Sequence, residues 1–280
     1  MINKKALTSF LFITFGLTLA AVFIARHFSL TMFDRPQVFS QLLISGAMFF
    51  PAIGALITNF FFVKKPIKSF FLPLASWREY VKAYILIVLL FVLNYAITWL
   101  FFCSPDFSLA SFMAANDIYE LPLSPLSMIA ILSLVTFVFA PFLNLIPSLG
   151  EELGWRGFLL PGLEPLGEKK ALMISSAIWA LWHTPLIVGL GFAYGWQYWP
   201  GLLIHFILVF GLGLYFGRTW LKTRSTILLA FMHGVFNANG YGIWAIVFVP
   251  ENHLLLGAVG LINALLCLFL GLYYLERRNQ

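Results

Sequence analysis

Three short polar clusters interrupt an otherwise apolar chain: Glu151, Glu152 and Arg156; Trp179 with His183; and His233 with Asn237. Ionisable groups inside apolar helices are costly, and at membrane depth they mark sites. Glu151 and Glu152 are neighbours, so on a helix they point about 100° apart and serve different ends. Glu152 and Arg156 stand at i and i+4 and can pair on one face, which leaves Glu151 to face inward as a general base. His183 lies about 13 residues beyond Lys170, roughly 20 Å along a helix. Pro185 removes a backbone donor and turns Thr184 away from helical angles, so the helix is predicted to kink or end beside the imidazole. His233 and Asn237 are one turn apart and share a face. The amide offers two N–H donors and does not titrate, which suits it to hold an oxyanion beside an imidazole. Together these groups could activate a water molecule and aim it at a carbonyl, in one polar cavity expected in the cytoplasmic half of the bundle.

Each cluster also has a plainer reading. The glutamates could be helix-end charges at the interface, next to Lys169 and Lys170. A buried His or Asn can be an interhelical hydrogen bond, and Gly234, Gly240 and Gly242 would let helices pack closely around it. Asn239 fits that structural role, as do His205, Asn94 and Asn263, which have no partner at catalytic spacing. Buried Glu and His also relay protons in transporters, but no inverted repeat or pair of broken helices supports that class. A non-catalytic immunity or scaffold protein is the other alternative.

The elements that must position these groups follow from composition. Of 280 residues, 61% are hydrophobic and 10% charged. A soluble domain has about 25% charged residues. The apolar residues come in long runs and not in period-2 alternation, so the expected fold is all-α, a polytopic membrane bundle of about eight helices. The runs are Ala6–Ala25, Val38–Val63, Ala83–Phe102, Ser127–Ser148, Ala171–Leu190, Pro200–Gly217, Ser225–Val249 and Leu254–Leu275. The first is too long for a signal-peptide core and has no clear cleavage site, so it reads as a retained span. Pro51 and Pro141 are expected to kink their helices. The stretch Lys64–Lys82 mixes aromatics with cations and suits the bilayer interface. Residues 1–280 read as one integral membrane domain.

Charge sets the orientation. Lys4 and Lys5, the stretch Lys64–Lys82, Lys169 and Lys170, Arg218 to Arg224, and Arg277 with Arg278 fall in alternate connections. The intervening connections are poor in cations, with Arg26 and Arg35 as the exception. The positive-inside rule then puts both termini in the cytoplasm of a multi-pass protein of the cell membrane. The net charge of +6 sits at helix ends and does not suggest nucleic acid. Cys103 and Cys267 have no metal-ligand spacing.

Order and spacing of the three clusters resemble the CAAX-processing and bacteriocin-processing membrane endopeptidases, the CPBP or Abi family. Its motifs, Glu-Glu-x-x-x-Arg, aromatic-x-x-x-His and His-x-x-x-Asn, appear as EELGWR (Glu151–Arg156), WALWH (Trp179–His183) and HGVFN (His233–Asn237). The resemblance covers about residues 127–242, a CAAX-protease-like core. Trp179 replaces the usual Phe, a change expected to affect packing and not chemistry. The resemblance implies peptide-bond hydrolysis in the bilayer on a membrane-associated peptide or protein. Glu151 and His183 would activate water, His233 and Asn237 would polarise the carbonyl, and Glu152 and Arg156 would support them. Glu151, His183 and His233 are also candidate ligands for a zinc ion, although no HExxH helix is present and a direct glutamate mechanism is the preferred expectation.

Overall fold

A computed structural model describes residues 3–33, 38–71 and 73–276 of the chain. Arg35, Leu72, Arg277 and Arg278 lie outside the described residues. Those described form helices and connections, with no strand among them. The helices are α1 (Lys4–His27), α2 (Val38–Ala47), α3 (Phe50–Thr58), α4 (Trp77–Phe101), α5 (Ala110–Ala115), α6 (Pro125–Leu134), α7 (Ala140–Gly154), α8 (Leu160–Leu163), α9 (Glu168–Trp182), α10 (Thr184–Leu190), α11 (Tyr198–Thr223), α12 (Thr226–Tyr241), α13 (Ile243–Val247) and α14 (Leu261–Glu276). The expected all-α membrane bundle is the fold that forms.

Among the described residues, six helical stretches are long and apolar enough to cross a membrane: Lys4–His27, Gln41–Val63, Trp77–Phe101, Pro125–Leu166, Glu168–Leu190 and Gly195–Thr223. The last two expected spans are shorter, α12 and α14 having 16 residues each. Gly242 breaks the seventh run at φ −91° and ψ −149°, outside helical angles, and a connection to Gly260 follows. The fourth run is longer than expected. Glu151 and Glu152 do not close it; the helix passes through them into a π turn at Trp155–Leu159 and on to Leu166. The carboxylates are partnered inside the protein, so the helix has no need to surface there.

The prolines act at helix starts. Pro51 and Pro141 occupy the first turns of α3 and α7, where a missing N–H leaves nothing unsatisfied. Breaks precede both, at Met48–Phe49 and at the π turn Val135–Phe139. Pro147 lies inside α7. The stretch Lys64–Lys82 is a short 3₁₀ turn, Ile67–Phe70, followed by the start of α4 at Trp77.

Ion pairs gather at one end of the bundle. Lys222 meets Glu79 at 3.1 Å, Lys169 meets Glu276 at 2.7 Å, Arg224 meets Glu164 at 2.6 Å, and Arg218 pairs with Glu168. These join the start of α4, the α8–α9 connection, the end of α11 and the end of α14. At the other end the connections meet through backbone and amide bonds, such as Tyr194 Oη donating to the Val259 carbonyl at 2.9 Å.

Glycines set the closest helix crossings. A Cβ at Gly211 in α11 would lie 2.5 Å from the Cys267 carbonyl of α14, and one at Gly234 in α12 would lie 2.5 Å from the Pro141 carbonyl of α7. Backbone cannot yield as a flexible side chain can. Gly211→Val should therefore cost at least the ~1–3 kcal/mol typical of overpacking, read as a lower midpoint of thermal unfolding in detergent. Gly16→Ala, with nothing near its Cβ, is the control. Equal midpoints for the two variants would refute this account of the α11–α14 crossing.

Candidate active site

The carboxylate of Glu152 is fully buried. Arg156 Nη1 donates to both of its oxygens, each at 2.9 Å, as the i,i+4 spacing predicts. His233 Nδ1 from α12 meets Oε1 at 3.1 Å. A carboxylate accepts, so this ring nitrogen carries a proton, and Nε2 is left for the cavity. The Arg156 guanidinium also lies over the Trp179 ring at 4.1 Å and near that of Phe216 at 5.4 Å. One ion pair thus ties α7 and its π turn to α12, α9 and α11.

Glu151 points elsewhere, as neighbours on a helix must. Its Oε2 accepts from Trp179 Nε1 at 2.7 Å and from Trp155 Nε1 at 3.4 Å. The first bond corrects an expectation. Trp at position 179 changes chemistry as well as packing, because a Phe has no N–H to give this carboxylate. The signal was legible: indole nitrogen, when buried, finds an acceptor.

His183 is placed by the end of its helix. α9 stops at Trp182, and Pro185 opens α10 in its first turn. The last turn tightens, and the His183 amide donates to the Ala180 carbonyl at 3.3 Å. The Trp179 carbonyl, the usual i−4 partner, meets His183 Nδ1 at 3.0 Å instead. A carbonyl only accepts, so Nδ1 is protonated and Nε2 of the neutral ring is the free base.

A cavity of about 460 Å³ takes Trp179, His183, His233 and Asn237 into one wall. The Trp179 ring lies 6.0 Å from that of His183 and 5.5 Å from that of His233. Glu151, Glu152 and Arg156 stand behind the wall, and Glu151 joins it through Trp179. The cavity extends away from the ion-paired end, toward Tyr194, Gln197, Pro250 and His253. It does not lie in the half bounded by the cationic connections, where the shared depth of the motifs led us to expect it. Depth counted from Lys170 and Arg224 locates the residues but not the direction in which the space beside them opens.

His205 is the residue that sequence reasoning passed over. It is buried in the cavity wall, its ring 4.7 Å from that of His183, with Nδ1 at 3.4 Å from Tyr194 Oη. A usable signal existed. His183 and His205 are equally far from the short connection between Leu190 and Tyr198, so the hairpin brings them to one depth. Two of the other polar residues set aside bond locally: Asn239 Nδ2 donates to the Val235 carbonyl of its own helix and its Oδ1 accepts from Trp244, and Asn263 donates to the Ala258 carbonyl. Asn94 donates to the Gly257 carbonyl at 3.4 Å.

Among the described residues no three His, Cys, Asp or Glu side chains come together as a cation site. Glu151 is held by two indoles, and His233 and Glu152 hold one another. In this arrangement the candidates Glu151, His183 and His233 do not form a zinc ligand set.

The buried pair generates a prediction. Arg156→Ala takes the guanidinium from Glu152, leaves it His233 Nδ1 alone of the two partners, and should destabilise by about 3–5 kcal/mol, as breaking a buried pair does. Glu152→Leu with Arg156→Met should cost much less than the two single changes added together. Thermal unfolding in detergent measures both. Additive losses would mean that the pair is not coupled.

Residues 125–239, which carry all three motifs, match the family model described as type II CAAX prenyl endopeptidase Rce1-like. A curated relative, CAAX prenyl protease 2 of Methanococcus maripaludis, is 35% identical over 109 residues. That match takes in 37% of this chain, which spans 40% of the relative's length. Over this motif-bearing core the chain is similar to the Rce1-like CAAX endopeptidases, and it spans less than half the length of the curated relative it matches.

Proposed function

We propose that the chain is an intramembrane endopeptidase that hydrolyses a peptide bond in a membrane-associated peptide or protein. The observation that supports this is the single cavity wall shared by His183, His233 and Asn237, with Glu151 bonded to Trp179 of the same wall. In this reading residues 127–242 are the catalytic core of a single membrane domain, and both termini lie in the cytoplasm.

The reading assigns water activation to Glu151 and His183. In it His183 Nε2 takes the proton from water, and the Glu151 carboxylate, bonded to Trp179 of the same wall, offsets the charge that forms on the ring. The activated water adds to the scissile carbonyl and the oxygen gains charge. The Asn237 amide donates to that oxyanion, and a protonated His233, fixed through Nδ1 by Glu152, donates through Nε2. Collapse of the tetrahedral carbon breaks the C–N bond, and the proton taken from water passes to the leaving amine. Arg156 and Trp179 hold the geometry. They are positioning residues.

The test uses protein reconstituted in liposomes with membrane-tethered peptide reporters, among them a prenylated C-terminal peptide and a leader-type peptide. Glu151→Gln should abolish cleavage while the protein stays folded. His183→Ala should match it, because groups that act as a unit do not add. Asn237→Ala should retain activity reduced by about 10²–10³, the usual loss of one oxyanion donor. A Glu151→Gln protein that cleaves at the native rate would remove Glu151 from the chemistry, and a native protein that cleaves none of the reporters would leave a transporter or an immunity scaffold. Activity that a chelator removes and zinc restores would reassign Glu151, His183 and His233 as ligands.

A further inference from the structure

We propose that Tyr241 is a further catalytic residue, whose phenol O–H donates to the oxyanion beside Asn237. The role rests on the peptide-bond hydrolysis proposed above. The inference starts from spacing. His233, Asn237 and Tyr241 stand at i, i+4 and i+8 of α12, so one face of one helix carries an imidazole, an amide and a phenol. All three line the cavity.

The three share a second property. His233 is bonded through Nδ1 and keeps Nε2 for the cavity. Among the described residues neither the Asn237 amide nor Tyr241 Oη hydrogen-bonds a protein group. The polar groups around them are taken. Asn239, two positions along the same helix, bonds the Val235 carbonyl and Trp244. Tyr194 of the opposite wall gives its proton to the Val259 carbonyl, and Tyr84 gives its own to the Phe137 carbonyl at 2.8 Å. The donors left over on α12 are the ones that a peptide in the cavity would meet.

Helix geometry aims this phenol at the site. A helical side chain leans toward the N-terminus of its helix. Tyr241 therefore reaches back over the turn that carries Asn237, toward His233, and its phenol comes within range of the Glu151 charge. It lines the cavity and is 69% exposed, so the ring stands out from the wall and does not pack into it. Its main chain is held. α12 ends at Tyr241, the Ile243 amide donates to Thr136 Oγ1 at 2.9 Å, and a Cβ on Gly242 would have no room beside Thr136 and the Ala238 carbonyl. A donor fixed before charge develops needs no reorganisation when the oxyanion forms. A phenol also holds its proton at neutral pH. The bond to the oxyanion forms as the carbonyl carbon becomes tetrahedral and weakens as it collapses, and the proton stays on Oη throughout.

Tyr241→Phe tests this, because it removes one oxygen and keeps the ring. In liposomes, with a reporter that the native protein cleaves, kcat should fall by about 10²–10³, the usual loss of one oxyanion donor, with KM little changed. The same peptide with a phosphonate in place of the scissile amide should inhibit the variant more weakly by a like factor, since its oxygen stands where the oxyanion forms. The midpoint of thermal unfolding should not move. Tyr119→Phe, exposed and outside the cavity, should leave kcat and KM unchanged. Native kcat in Tyr241→Phe overturns the proposal. So does a loss confined to KM, which would make the phenol a grip on bound substrate, or a lowered midpoint, which would mean that the phenol bonds protein. Failure of the proposed function is distinct: the native protein then cleaves none of the reporters, and the role of Tyr241 falls with it.

Discussion

The structure depends on one carboxylate. Glu152 is fully buried and has two cationic or protonated partners, Arg156 and His233. Each partner carries the constraint onward: Arg156 against the faces of Trp179 and Phe216, His233 into the wall of the cavity. Taking charges out of water is costly, and a pair repays that only with good geometry and with its remaining valences filled. The partners here come from four helices, although Arg156 Nη2 has no hydrogen bond of its own. The helices therefore cannot slide past one another without exposing a charge to a medium that cannot solvate it. In a bilayer, where apolar packing alone gives little preference between helix faces, that requirement fixes which faces meet.

Much of this was legible in the sequence. The i,i+4 spacing of Glu152 and Arg156 implied their pairing, and adjacency implied that Glu151 would turn away. Pro185 implied a helix end beside His183, and α9 does end at Trp182. Long apolar runs gave an all-helical membrane bundle. Other features depended on tertiary partners. Glu151 and Glu152 looked like a helix terminus because a lone helix has no means to bury two carboxylates; His233 and the indoles of Trp155 and Trp179 supply it. The last two spans were drawn too long because apolar composition continues through Gly242 and Leu254 after the helix has stopped. His205 was set aside because its partner is close in space and distant along the chain.

The charges at the two ends and the cavity between them belong to one design. Ion pairs at an exposed surface are individually weak, yet those at the cationic end connect helices that bound the cavity base. The other end is held by hydrogen bonds to the connection before α14, from Tyr194 to the Val259 carbonyl and from Asn94 of α4 to the Gly257 carbonyl.

The Trp179 carbonyl shows how little the chain spends on setting a tautomer. In a continuing helix that oxygen would belong to the His183 amide. The tightened last turn sends the amide to Ala180, and the imidazole of the same residue takes the vacated acceptor. The choice of which ring nitrogen is basic is thus settled by competition between a main chain and its own side chain for one oxygen. No dedicated acidic residue orients the ring. Position 185 governs that competition from two residues away. A residue there that let α9 run on would return the carbonyl to the helix and leave the imidazole free to turn, with every other group of the site still in place.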